Sequence, residues 1–253
     1  MKQYTNHELS MLMIQHNNEA VTKLRGGKVI EAFHLLSKAC RAVHELQQQQ
    51  NKDNGYSANA DNDCQEDHHQ YQYTWLDCSK AVAHRMKGTR NFCEGSLPFL
   101  FLQFLWIDTP MESSSSCYDS MMMDEMKDDG PVCVRGFVWV LWYNLATVSI
   151  LVGSPVGATG NCLLQQSLEL FRSVQSAVDP EPLSKHWIIL KLAILNNEAC
   201  ALSELNQSRQ RLDRLVKMGL ALCNMSDLLE PEEQELFLWT VTSMADDRFA
   251  AAA

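Results

Sequence analysis

The sequence lacks charge over one long stretch. No Asp, Glu, Lys or Arg occurs from residue 136 to residue 168. Residues 136–152 are the apolar part of this stretch, and a segment without charge must be sheltered from water on most of its surface. We expect it to form a helix at the centre of the fold. The alternative is a membrane span, although about 17 residues is the lower limit for crossing a bilayer and Asn144 would then lie near its middle.

Patterns that carry chemistry are also lacking. The chain has no Gly-x-Ser-x-Gly, no His-Glu-x-x-His and no paired acidic constellation, so we predict no catalytic residue and no enzymatic activity. The cysteines and histidines that come nearest to a metal-binding set have a spacing that fits no tetrahedral site, so we predict no metal site. The members of that set are Cys64, His68, His69, Cys78 and His84.

One glycine-rich segment, residues 153–160, is followed by a predicted helix and so resembles a phosphate-binding loop. It lacks the Lys-Ser/Thr pair of a P-loop, and Pro155 removes an amide donor. We favour a plain connection between helices, with Asn161 as the cap of the second helix, and expect no cofactor. A nucleotide-binding enzyme that uses this loop is the alternative.

Cysteine usage and the first residues bear on location. The nine cysteines include no Cys-x-x-Cys pair, which favours reduced thiols over a disulfide framework. Residues 1–8 show no apolar run after a basic start, so a secretory signal is not expected. We therefore expect a soluble intracellular protein of the cytoplasm or nucleus.

The negative charge is concentrated in two segments. The formal net charge is −10, while residues 51–77 carry −5 and residues 108–129 carry −6. The rest is close to neutral and has no basic stripe, so nucleic acid is not expected as a partner. Segments 47–69 and 108–131 are predicted to be mobile acidic insertions.

Apolar residues at spacings of three and four predict helices over most of the remaining chain. The predicted helices cover residues 8–25, 28–49, 136–152, 161–178, 181–206 and 208–224, with a capping helix at 231–246. Two apolar stretches instead favour a two-stranded antiparallel pair. These are the alternation Tyr71, Tyr73 and Trp75 and the run 97–107, with a helix over 75–86 as the alternative.

A short motif recurs within these helices. Residues 17–20 read Asn-Asn-Glu-Ala, residues 196–199 repeat those letters, and residues 143–146 read Tyr-Asn-Leu-Ala. From each alanine, a turn residue follows at a fixed distance and a pattern of small and large apolar residues follows in the next helix. The repetition predicts helix hairpins that pack against one another, because a single hairpin cannot bury its own apolar face.

This pattern resembles the tetratricopeptide repeat (TPR), and the overall plan is similar to that of TPR-like proteins of diatoms. The positions that carry the resemblance are Ala20, Gly27, Ala32, Leu36, Trp142, Leu145, Ala146, Gly153, Phe171 and Ala199. Chain length and the predicted elements favour a mainly all-α single domain, and the resemblance implies a right-handed stack of hairpins and protein binding. The repeat-like units are residues 8–46, 137–178 and 181–224.

Equivalent asparagines are the candidate site. Asn18, Asn144 and Asn197 hold the same position in the three copies. They could line a groove that binds a protein or peptide partner in a scaffold without enzymatic activity. The other interpretation, which we favour at this point, is that each asparagine bonds a neighbouring helix end.

Overall fold

The computed structural model describes residues 6–53, 72–86, 100–108, 135–153, 157–177 and 185–250. Within these ranges the chain is mostly helical, with one small antiparallel sheet. The elements in chain order are α1 (Asn6–Arg25), α2 (Val29–Asp53), β1 (Gln72–Asp77), α3 (Ser79–Met86), β2 (Gln103–Asp108), α4 (Arg135–Gly153), α5 (Gly157–Ala177), α6 (Lys185–Glu204), α7 (Ser208–Met225) and α8 (Pro231–Ala250).

Three helix hairpins pack in chain order. Helix α1 packs on α2, α4 on α5 and α6 on α7, and the second helix of each pair also packs on the helix that follows. The small residues of the sequence pattern on these helices are fully buried, as expected where helices approach closely. They are Ala20, Ala32, Ala146, Ser167 and Ala199.

Two hairpin turns have the geometry predicted for them. Gly27 adopts φ 71° and Asn206 adopts φ 57°, the left-handed conformation that ends many helices. In each turn an amide five residues ahead closes the helix end: Lys28 donates to the Lys23 carbonyl at 2.9 Å, and Gln207 donates to the Leu202 carbonyl at 2.8 Å. The same backbone device therefore joins the first and third hairpins.

The middle hairpin is built differently, and the connection predicted at 153–160 is shorter: only residues 154–156 separate the two helices, and they lie outside the described residues. Gly153 is the last residue of α4 and Gly157 already begins α5, so Asn161 lies inside α5 and is not its cap. A Cβ on Gly153 would lie 2.9 Å from the Gly160 carbonyl oxygen, and a Cβ on Gly160 would overlap the Gly153 carbonyl. These glycines allow two helix backbones to touch.

Three further boundaries differ from the sequence-based expectations. Helix α2 continues to Asp53, so residues 47–53 are helical and only 54–69 of the first predicted insertion lie outside the described residues. Asp108 belongs to β2, and 109–131 of the second insertion also lie outside. The pair of strands is confirmed, and the alternative helix over 75–86 is wrong for β1, because helix begins only at Ser79 after the strand ends at Asp77. The predicted helix start at 181–184 lies outside the described residues.

Strands β1 and β2 form an antiparallel pair in which Gln72 faces Asp108 and Asp77 faces Gln103. Strand β2 also packs against α1 and α4. It therefore lies between the helices and β1: one edge of β2 pairs with β1, and the other edge faces the helices.

Helix α4 is the centre of the core, as the uncharged segment predicted. It contacts α2, α5, α6 and β2, and most of its side chains are buried. Its buried hydroxyl groups are satisfied within the helix: Thr147 donates to the Tyr143 carbonyl at 3.0 Å and Ser149 to the Leu145 carbonyl at 2.7 Å. In the described part of the chain, no helix combines the length and hydropathy needed to cross a bilayer.

We expect Gly160→Ala to destabilise the fold by about 1–3 kcal/mol, because the added methyl group must push α4 and α5 apart. Gly219→Ala in α7 is the matched control. Its Cβ would meet only a Val241 methyl group at 4.0 Å, so this helical glycine should gain about 0.5–1 kcal/mol. Urea unfolding monitored by circular dichroism measures both, and a Gly160→Ala protein as stable as wild type would contradict the close crossing.

Candidate functional site

The side chain of Asn18 on α1 is paired with the backbone of Ile107 on β2. The Ile107 amide donates to Asn18 Oδ1 at 3.1 Å, and Asn18 Nδ2 donates to the Ile107 carbonyl at 2.8 Å. One primary amide thus satisfies both the donor and the acceptor of one residue, as a neighbouring strand does in a sheet.

Asn144 on α4 makes the same pair of bonds to Leu105. The Leu105 amide donates to Asn144 Oδ1 at 3.0 Å, and Asn144 Nδ2 donates to the Leu105 carbonyl at 2.8 Å. Asn17 supports this contact from α1: its Nδ2 donates to the same carbonyl at 3.0 Å, and its Oδ1 accepts from Asn144 Nδ2 at 2.8 Å. The first two hairpins therefore meet on the backbone of Leu105.

Asn197 on α6 binds Phe101, just before β2 begins. The Phe101 amide donates to Asn197 Oδ1 at 2.8 Å, and Asn197 Nδ2 donates to the Phe101 carbonyl at 3.2 Å. Asn196 Nδ2 donates to Asn197 Oδ1 at 3.1 Å, and Asn197 Nδ2 also reaches Thr147 Oγ1 at 3.3 Å. These neighbours hold the Asn197 amide in position.

We call Asn18, Asn144 and Asn197 the asparagine ladder, and residues 101–107 the bound strand. Tyr143 adds a contact to the bound strand between the residues held by Asn197 and Asn144, because its hydroxyl donates to the Gln103 carbonyl at 3.2 Å. Burial raises the pKa of the Tyr143 phenol, so the hydroxyl stays protonated and remains a donor. Residues 101, 103, 105 and 107 are thus each held by a side chain of α1, α4 or α6.

The two edges of the bound strand are used differently. Successive residues of an extended chain direct their amides and carbonyls to opposite sides. The odd-numbered residues face the asparagine ladder, so the even-numbered residues face β1, where Phe104 pairs with Leu76 and Trp106 with Thr74. The ladder therefore takes the place of a third strand, which helices alone could not supply because their own backbone groups are already paired.

Side chains of the bound strand fill apolar space. Phe104 and Ile107 are fully buried, Leu105 is nearly so, and Phe101 stacks on Phe237 of α8 with ring centroids 5.2 Å apart. Trp75 of β1 meets Phe101 and Tyr143 edge to face. The site thus combines backbone recognition by amides with aromatic and aliphatic packing around the strand.

Glu198, the charged residue next to the ladder, makes its ion pair with α7 and not with the bound strand. Glu198 is buried beside Asn197 and pairs with Arg214 of α7 at 2.7 Å. Desolvation raises the pKa of Glu198, and Arg214 opposes that shift. In the first copy of the motif the corresponding Glu19 is exposed and pairs with Lys23 at 3.9 Å. The glutamate therefore braces the third hairpin and does not contact the bound strand.

The structure brings all three candidate asparagines onto one strand and corrects the interpretation we favoured for them. Among the described residues, the backbone groups that these three side chains bond belong to the bound strand and not to a helix end. Of the repeat positions that carry the resemblance, Leu36, Leu145 and Phe171 are buried and Trp142 is half-buried. Sequence reasoning missed Asn17 and Tyr143, although both lie within the recurring four-residue motif.

The other candidate chemistry receives no support at the described residues. They contain no group of three or more metal-binding side chains. Of the residues considered for zinc, Cys78 is buried next to β1, and the side chains of Cys64, His68, His69 and His84 lie outside the described set. Burial raises the pKa of the Cys78 thiol to about 12, so Cys78 is a poor nucleophile and a poor metal ligand.

Comparison of the chain with protein-family models, with curated proteins and with solved structures found no match.

We expect Asn144→Ala to cost about 1–3 kcal/mol of stability, because it leaves the buried Leu105 amide without a partner. Asn224→Ala is the control, since Asn224 is exposed near the end of α7 and its loss should change stability by less than about 0.5 kcal/mol. Chemical denaturation of both variants and wild type makes the comparison. Equal stability of the two variants would mean that the ladder does not hold the strand in solution.

Proposed function

We propose that this protein is a non-enzymatic scaffold that binds an extended segment of another protein along the asparagine ladder, in the groove of a TPR-like stack. One observation carries the proposal: three asparagines at equivalent positions of three hairpins each bond both the amide and the carbonyl of one extended residue. Such contacts recognise an extended main chain whatever its side chains, which is what a peptide-binding surface requires.

The arrangement of the hairpins supports the TPR-like part of the proposal. The ladder residues come from the first helix of each hairpin, α1, α4 and α6. These helices lie on one side of the bound strand, and small buried residues such as Ala20 and Ala146 keep each paired with its second helix. A series of hairpins that presents its first helices to one extended chain is the geometry that repeat scaffolds use for binding.

The contacts also favour an internal segment of the partner over its carboxyl terminus. The ladder and Tyr143 contact amides and carbonyls within a chain, from Phe101 to Ile107. The only Lys or Arg of α4 is Arg135, its first residue, so the part of the helix that carries Tyr143 and Asn144 has no cation for a terminal carboxylate. A protein partner that offers an extended internal stretch is therefore the proposed ligand, and an intracellular location remains an expectation.

The test frees the groove and then offers a peptide. Protease sites are placed within residues 87–99 and 109–134, so that cleavage leaves the bound strand attached only by non-covalent contacts. A fluorescein-labelled peptide of residues 98–110 is then added to the cleaved protein, and binding is followed by fluorescence anisotropy. We expect exchange of the native fragment for the peptide, and saturable binding.

Matched variants locate the binding. In the cleaved protein, Asn144→Ala should weaken peptide binding at least tenfold, because the amide at the Leu105 position loses its partner, whereas the carbonyl keeps only its bond from Asn17. Asn224→Ala should leave it unchanged. If circular dichroism shows intact helices, the native fragment has been removed and the peptide still does not bind, the scaffold proposal is wrong.

A further inference from the structure

The strand that occupies the asparagine ladder belongs to the same chain. Resting on the proposed function, we propose that the β1–β2 hairpin is an internal ligand that keeps the groove closed to partners. The partner would be a protein segment that replaces β2: an uncharged extended stretch with bulky apolar side chains at its first, fourth, fifth and seventh positions. Binding in trans is thus an exchange of one strand for another.

The polar contacts to the bound strand can be transferred to another chain. The bonds made by Asn18, Asn144, Asn197 and Tyr143 end on amides and carbonyls of residues 101–107, which every extended segment possesses. A different segment in the same register would therefore satisfy the ladder equally well. The polar part of the site does not distinguish the internal strand from an external one.

Selectivity must come from the side chains of the incoming strand. Phe101, Leu105 and Ile107 are buried, and their spacing of four and then two residues matches the three asparagines. Gln103, opposite the Tyr143 hydroxyl, is only partly buried, so this position should tolerate a polar residue. A charge at the position of Leu105 would be buried without a partner and should abolish binding.

An empty groove is unfavourable, which is why exchange is expected instead of simple opening. Asn144 and Asn197 are fully buried, and their amides would lose their backbone partners if β2 left alone. The contact at Ile107 is less enclosed than the one at Leu105, and the nearby bond from Thr74 Oγ1 to Asp108 Oδ2 is exposed. Exchange should therefore begin at this end of the strand, beside α1.

A tethered competitor lowers the apparent affinity of a partner in proportion to the fraction of molecules with a free ladder. Weakening the internal strand without altering the asparagines should therefore tighten binding in trans. A merely structural strand would give the opposite result, because its mutation would damage the binding surface.

The experiment uses the intact, uncleaved chain and the labelled peptide of residues 98–110. We expect weak binding to wild type, tighter binding to Ile107→Val, and at least tenfold tighter binding to Leu105→Ala. The control is Leu215→Ala on α7, which is equally buried but lies on a helix outside the ladder and should not tighten binding. A peptide that itself carries Leu105→Asp should not bind any of the proteins. The mild Ile107→Val change keeps the test decisive if Leu105→Ala does not fold.

Alkylation of Cys78 reports the position of the hairpin. Cys78 follows β1 directly, is 2% exposed, and its amide bonds the Leu102 carbonyl. Because β1 is expected to leave the groove together with β2, saturating peptide should speed the reaction of Cys78 with N-ethylmaleimide at least tenfold, while the buried Cys200 on α6 stays protected as the internal reference. Mass mapping of the labelled peptides gives the rates.

The outcomes separate the two proposals. If the cleaved protein binds the peptide but Ile107→Val and Leu105→Ala bind no more tightly than wild type, autoinhibition is wrong and the scaffold remains. If neither the cleaved nor the intact protein binds, both fail. Binding while Cys78 stays protected would overturn the exchange, and dimers of Leu105→Ala without peptide would overturn the choice of partner in favour of a second copy.

Discussion

The structure depends on one constraint: an extended strand buried among helices must find partners for its amides and carbonyls. Helices pair their own backbone groups internally and offer none. Asparagine solves this problem because its amide presents one donor and one acceptor in the geometry of a peptide bond, whereas aspartate could not donate and serine could not bridge both groups. The three asparagines can reach one strand only if the three hairpins are aligned along it. The buried small residues and the Gly153–Gly160 contact hold that alignment.

Much of the fold could be predicted from the sequence, because helix periodicity and helix ends leave local signals. Gly27 and Asn206 mark turns by their left-handed conformation, and the aromatic alternation marks β1. The glycines at 153 and 160 misled us because a close crossing of two helices and a flexible loop favour the same residue. The glutamine-rich end of α2 misled us in the same way, since polar composition does not show whether a helix continues.

Only part of the candidate site could be predicted from the sequence. Repetition of the motif identified Asn18, Asn144 and Asn197 as equivalent, since periodic features can be read along the chain. Their occupant could not be identified, because bonds to amides and carbonyls impose no residue type on the strand that accepts them. The two Asn-Asn-Glu-Ala copies differ in their glutamate: Glu19 is exposed and Glu198 is buried. Identical residues of the motif therefore share a role only where they bond the backbone of the bound strand.

The contacts of the ladder are distant along the chain, and this affects how the protein reaches its native state. Asn18 and Ile107 are 89 residues apart, and Phe101 and Asn197 are 96 apart. Each hairpin can form from neighbouring residues, whereas the strand can be seated only after α6 has been made. During synthesis β2 leaves the ribosome before α4 and α6, so an apolar strand must wait for most of its binding site. Aggregation in that interval is the vulnerability of a protein whose apolar strand is made before the helices that bury it.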